Sequence, residues 1–165
     1  MKKTTYYPDS DAVETWSYKE ATCYIVLHKE LGHYCGYVRF KKNPFAKGTG
    51  CHYEGFRNYI PVHGGITYAK KDAKGYVYGF DCAHAGDEKR PELKDIAWLK
   101  KHTEQFCDML ILAKPYEQHY RRLLSNKAKA KVISAYIERV ENLVDIEKFE
   151  QIGFGAMINL LSGKL

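Results

Sequence analysis

The hydrophobic pattern of this chain changes period at Pro91, and that change limits the folds open to it more than any other feature. Ahead of Pro91, short runs rich in aromatic and β-branched residues alternate with clusters of Gly, Pro, Asp and Lys, as strands joined by turns do. Behind it, Leu93, Ile96, Ala97, Leu99, Phe106, Met109 and Leu110 recur at helical spacing. Strands first and helices afterwards predict an α+β fold.

Residues 21–40 read as a β-hairpin, with strands over 23–28 and 34–40 and a turn at Leu31-Gly32-His33. A second hairpin pairs 66–68 with 76–80 around the polar turn 70–75, its second strand running on into Cys82. Residues 1–20 read as a loose arm with a short helix. The segment 41–59 contains Pro44, Gly48, Gly50 and Gly55 and is long for a connection; such loops tend to be functional or mobile. A helix is predicted over 92–113, with Pro91 where a first turn tolerates it and Pro115 as its end. Further helices are expected at about 116–126, 128–142 and 146–162, the last weakened by Gly153 and Gly155. The expected architecture is a small antiparallel sheet of two hairpins packed by a helix. Residues 1–113 would form the core domain and 114–165 a helical C-terminal extension on or beside it.

Composition narrows the function classes. No run approaches the ~18 apolar residues of a membrane span, and the basic N-terminus lacks the apolar stretch of a secretory signal, so a cytoplasmic protein without a membrane partner is expected. The five cysteines are odd in number and none has a two-residue spacing, which fits reduced thiols and argues against a Cys23–Cys35 disulfide. A net charge of +6 is too small to imply duplex nucleic acid; it favours a small anionic, nucleotide-like ligand, and equally fits a soluble surface that happens to be basic. The 14 tyrosines suit pleated surfaces, and equally a pocket that stacks a base. A homo-oligomer is compatible with all of this.

Two segments carry residues suited to chemistry. Asp81, His84 and Asp87 are spaced by three where a strand leaves for a loop, among the small residues Ala83, Ala85 and Gly86. An imidazole with two carboxylates can bind a divalent metal or act as an oriented general base. The plainer reading is that Asp81 and Asp87 cap the turn and the next helix. His63-Gly64-Gly65 opens the partner strand, and paired glycines there suit close approach of a ligand, with amides offered to an anion; a β-bulge is the plainer reading. The candidate catalytic set is therefore His63, His84, Asp81 and Asp87. Gly64, Gly65, Thr67, Tyr68, Tyr37 and Gly86 are the candidate ligand contacts. The two segments can meet at one end of the sheet or lie at opposite ends, and spacing leaves this open. His28, His33 and His52 have no metal-site spacing; Cys82 reads as a buried thiol. Lys41-Lys42 and Lys70-Lys71 read as solvated turns, and Lys127, Lys129 and Lys131 as a basic helix edge.

The stretch from about 21 to 110 resembles a family of small, largely uncharacterised phage and prophage proteins. The resemblance rests on Cys35-Gly36-Tyr37-Val38, on Val62-His63-Gly64-Gly65-Ile66-Thr67-Tyr68, on residues 79–87 (GFDCAHAGD) and on Leu93-Lys94-Asp95. The family's loop after the first motif reads P-x-G-H-P, whereas this chain has Lys42-Asn43-Pro44, so the role of the absent histidine would pass to Asn43 or His52. The resemblance implies a phage setting, in which small proteins often counter host defence, and so a nucleotide-derived immune signal as ligand. Three functions follow: a hydrolase or phosphodiesterase acting on such a molecule, a sponge that sequesters it intact, or a protein inhibitor of a host enzyme docking through the C-terminal helices.

Overall fold

The computed structural model describes residues 8–45 and 55–143. Strand formers with side chains alternating across the pleat build five strands. They are β1 (Ala12–Tyr18), β2 (Ala21–Leu27), β3 (Tyr34–Phe40), β4 (Tyr68–Asp72) and β5 (Gly75–Asp81). They form one antiparallel sheet in the order β1-β2-β3-β5-β4. Both expected hairpins are present, the second with its first strand over Tyr68–Asp72 instead of 66–68, so Lys70-Lys71 pair with β5 and are not in the turn. The expected α+β class is the observed one. In the first hairpin Cys23 lies opposite Val38 and Cys35 opposite Val26. The two thiols therefore belong to different faces, and all four described cysteines are free.

Residues 12–18 are not a loose arm but the fifth strand, preceded by the short helix α1 (Pro8–Asp11). What holds β1 in place lies far along the chain. Glu14 accepts a hydrogen bond from Lys100 (3.2 Å), Trp16 donates to Glu104 (3.0 Å) and Tyr18 donates to Asp108 (3.1 Å). Two strand residues advance about 6.6 Å and four helix residues about 6 Å, so every second residue of β1 meets every fourth residue of the helix beside it.

That helix is α2 (Ile96–Arg122), which covers one face of the sheet, with α3 (Asn126–Glu141) packed on α2 and on the 3₁₀ turn Gly55–Tyr59. The start predicted at residue 92 is instead a 3₁₀ turn, Pro91–Lys94. Asp95 then caps α2, its side chain accepting the Ala97 N–H at 2.8 Å. The predicted end at Pro115 is also corrected: α2 runs through Pro115 to Arg122, absorbing most of the helix expected at 116–126. An internal proline forfeits one backbone hydrogen bond and costs about 3 kcal/mol. Burial of Ala113 and Tyr136, with Tyr116 edge-on to Tyr136 at 5.4 Å, where α2 packs on α3 offsets it.

In α3 the residues Val132, Ile133, Tyr136 and Val140 are buried as their spacing predicts, and they share one core with the sheet. A division near residue 113 falls inside α2, so helices and sheet are continuous across it. The helix expected at 146–162 lies outside the described residues. No described helix is long and apolar enough to cross a membrane.

The opposite sheet face buries Tyr24, Val26, Cys35, Tyr37 and Val77. Among them the Arg39 guanidinium donates to Asp9 (2.5 Å), Tyr24 (2.6 Å) and Asp72 (2.6 Å), tying α1 to β3 and to the β4–β5 turn.

Candidate functional site

The hairpin β4–β5 decides whether the two motifs meet. Its open end releases residues 61–67 on one side and 82–90 on the other, at the same end as the β2–β3 turn. Thr67 N–H donates to Gly79 (2.9 Å) and Cys82 N–H to Tyr34 (2.9 Å), so both segments are fastened where they leave the sheet. The motifs converge.

Their meeting point is the Asp87 carboxylate, buried at the head of a 3₁₀ turn (Asp87–Lys89). Its Oδ2 atom lies 2.9 Å from His63 Nε2 and accepts the His84 backbone N–H at 2.8 Å. His84 Nδ1 lies 3.5 Å from the same oxygen and 3.8 Å from Asp81 Oδ1. Neither contact is a hydrogen bond, and His84 Nδ1 is buried without a hydrogen-bond partner among the described residues. The rings of His63 and His84 stand edge to face, centroids 5.4 Å apart. Burial pushes the Asp87 carboxyl up, but the hydrogen bonds from His63 and the His84 amide, and the proximity of both imidazoles, hold it below the usual carboxylate range.

Gly64 is required here. Its φ of 63° lies in the left-handed region, and a methyl group on it would overlap the His84 ring. Gly65, at φ 85°, has open space where a side chain would stand, yet its N–H is committed to Val62 (3.0 Å). The Gly86 N–H is likewise taken, by Glu88 (3.0 Å). These two amides serve the loops themselves, so the expected anion contact does not come from them.

Asp81 has the turn-capping role considered for it, accepting the Ala83 N–H at 3.2 Å, while its other neighbour is His84. Thr67 marks the entry to β4 at the same end of the sheet. Tyr37 and Tyr68 pack edge to face at 5.3 Å in the apolar layer away from α2, rather than at the histidine centre. Burial raises the Tyr37 phenol above its usual range. Cys82 is buried as expected, and burial raises its thiol too. Asn43 accepts from Tyr78 (2.6 Å) and from the Phe45 N–H (3.0 Å), a local structural use; His52 lies outside the described residues.

Two residues belong to the site that motif spacing did not single out. His102, buried on α2, accepts the His63 backbone N–H on Nε2 at 3.2 Å. It is stacked on Trp98 and met edge-on by Phe80. Burial, then the nearby His63 and Arg90, lower its pKa to about 3, the Gln105 side chain countering only in part, so it stays neutral. The signal was available: His102 interrupts the apolar stripe between Leu99 and Phe106. The second residue is Arg90, whose Nη1 lies 3.5 Å from His63 Nδ1 while its Nε donates to Glu92 at 2.8 Å.

His63 is thus fixed from three sides, at its backbone, Nε2 and Nδ1, and only 4% of its side chain is exposed. His84 keeps 34% of its side chain exposed and is the imidazole a ligand can reach. No known family, curated protein or solved structure matches this chain.

Proposed function

We propose that this protein hydrolyses a small anionic, nucleotide-like molecule at the His63–Asp87–His84 centre, acting in a phage setting on a nucleotide-derived defence signal. The observation that carries the reading is the setting of His84. Its Nδ1 is turned towards Asp87 and Asp81 while part of the ring stays exposed. Carboxylates on the side of one imidazole nitrogen set which way the ring faces, which leaves Nε2 to exchange a proton with water or a leaving oxygen. Asp87 is the hub, held by His63, whose backbone His102 holds in turn. Arg90 and the +6 net charge favour an anionic substrate.

The test is incubation with linear and cyclic nucleotides and ADP-ribose derivatives, with and without divalent metal, followed by mass spectrometry of supernatant and denatured protein. Products that disappear in His84→Ala support the reading. An intact nucleotide released only on denaturation sinks it and identifies a sponge.

A further inference from the structure

The His84 Nδ1 atom poses a problem that the hydrolytic reading leaves unsolved. A buried polar atom without a partner is costly, and such an atom between two carboxylates asks what fills the gap. We propose that the gap is a binding site for one divalent first-row transition metal ion of the zinc class, held by His63 Nε2, His84 Nδ1 and Asp87 Oδ2. The proposal concerns binding alone and stands whether or not the centre hydrolyses anything.

The donor geometry fits. The three ligand atoms lie within 4.8 Å of one another. Around zinc, with bonds of about 2.0–2.2 Å, tetrahedral ligands stand roughly 3.4 Å apart. The separations of 2.9 Å and 3.5 Å about Asp87 Oδ2 bracket that edge. Two imidazoles with one carboxylate select zinc, cobalt or nickel over magnesium or calcium, which take oxygen donors. Asp81 stands next to the gap, 3.8 Å from His84 Nδ1, as a carboxylate that can orient a water or the His84 ring.

One neighbour opposes the ion, and this sharpens the test. A ligand histidine normally donates its other ring N–H to an acceptor. His63 Nδ1 instead faces Arg90 at 3.5 Å, a group that can only donate. Metal on Nε2 moves the His63 proton to Nδ1, against this cation. Arg90→Gln replaces the cation by an amide whose oxygen can accept that proton, and it should tighten metal binding by about 10-fold, the scale of an outer-shell partner. A His63 that serves only to hold Asp87 gives no such gain.

The experiment titrates the full chain, first stripped with a chelator, with Co²⁺ followed in the visible spectrum and with Zn²⁺ by calorimetry. One ion per chain is expected, with d–d bands of a tetrahedral nitrogen- and oxygen-liganded ion. His84→Ala, at a partly exposed position that leaves the core filled, should weaken binding by more than about 100-fold, beyond the loss of an outer-shell partner. Asp87→Asn is the second, nearly isosteric variant, and circular dichroism confirms that both fold. Absence of cobalt bands and of zinc heat in the wild type overturns the proposal, as does binding unchanged in both variants. Metal uptake without turnover of any nucleotide keeps the metal site and removes the hydrolase reading. Turnover untouched by chelation, with no metal uptake, does the reverse.

Discussion

Replacing His102 by glutamine removes a proton-binding group that the folded chain shuts off from solvent. In the unfolded chain the imidazole has its ordinary pKa of 6.5, and in the folded chain burial lowers it to about 3. Between these values the unfolded state holds a proton that the folded state lacks. The fold therefore has its full stability above pH 6.5, loses it steadily on acidification and levels off as the folded pKa is passed. Each pH unit in that window costs about 1.4 kcal/mol, so at about pH 4.5 the wild type should have lost roughly 3 kcal/mol through this residue alone. Asp9, Asp72 and Asp87 are also held below their ordinary range and weaken the fold in acid, but they do so equally in both proteins. The difference between wild type and His102→Gln isolates the imidazole. Glutamine keeps an acceptor for the His63 N–H and loses ring packing against Trp98 and Phe80, a loss that does not depend on pH. Urea unfolding followed by tryptophan fluorescence from neutral pH to about pH 4.5 should show two curves converging, and the variant overtaking if its offset is under about 3 kcal/mol. Parallel curves would mean that His102 is charged or hydrated in the fold, and the reasoning would fail.

Three other expectations follow from the geometry. Arg39→Ala leaves Asp9, Asp72 and the Tyr24 hydroxyl facing one another without their cation and should cost about 2–3 kcal/mol by urea unfolding, with Arg39→Lys recovering part; an effect near zero would show the network to be a surface ornament. Gly64→Ala adds about 1–2 kcal/mol of left-handed strain and pushes the His84 ring aside, seen as a lower melting temperature and a moved His84 resonance; an unshifted resonance refutes the packing of that ring on Gly64. The thiols of Cys23, Cys35, Cys82 and Cys107 are buried, and burial pushes Cys35 up to about 12, so a thiol reagent should reach these four only on unfolding. Fast labelling of Cys82 in the native protein would contradict its placement.

The legible parts of the fold are those whose reasons are local. Strands β2 and β3 show themselves through Ile25, Val26, Tyr37 and Val38, and α3 through the spacing of Val132, Ile133, Tyr136 and Val140. Strand β1 did not, because its inward residues Glu14, Trp16 and Tyr18 meet Lys100, Glu104 and Asp108 some 86 to 90 positions away. A proline rule based on backbone chemistry ended α2 at Pro115, whereas packing on α3 outweighs the lost hydrogen bond. At the site, small residues around His63, His84 and Asp87 marked the segments. Their convergence depended on which end of a hairpin each segment leaves, and His102 reaches the site only through tertiary packing. The tyrosines did not mark the site, because they are spread through both layers: Tyr24, Tyr37 and Tyr68 lie on the sheet face away from α2, whereas Tyr78 and Tyr136 are buried in the main core.

The β4–β5 hairpin has one further consequence. His63 and Asp87 stand 24 positions apart, with the hairpin between them, so the centre is assembled from one short stretch of chain. Closing so short a loop costs little chain entropy, and the two segments are brought together as soon as that hairpin zips. Only the register with β3 and the approach of His102 come from elsewhere. The site is thus carried like a cassette: insertions in the α2–α3 connection or in β1 leave its parts in their mutual positions, whereas adding one residue to the β4–β5 turn would turn one of its arms to the wrong side of the sheet.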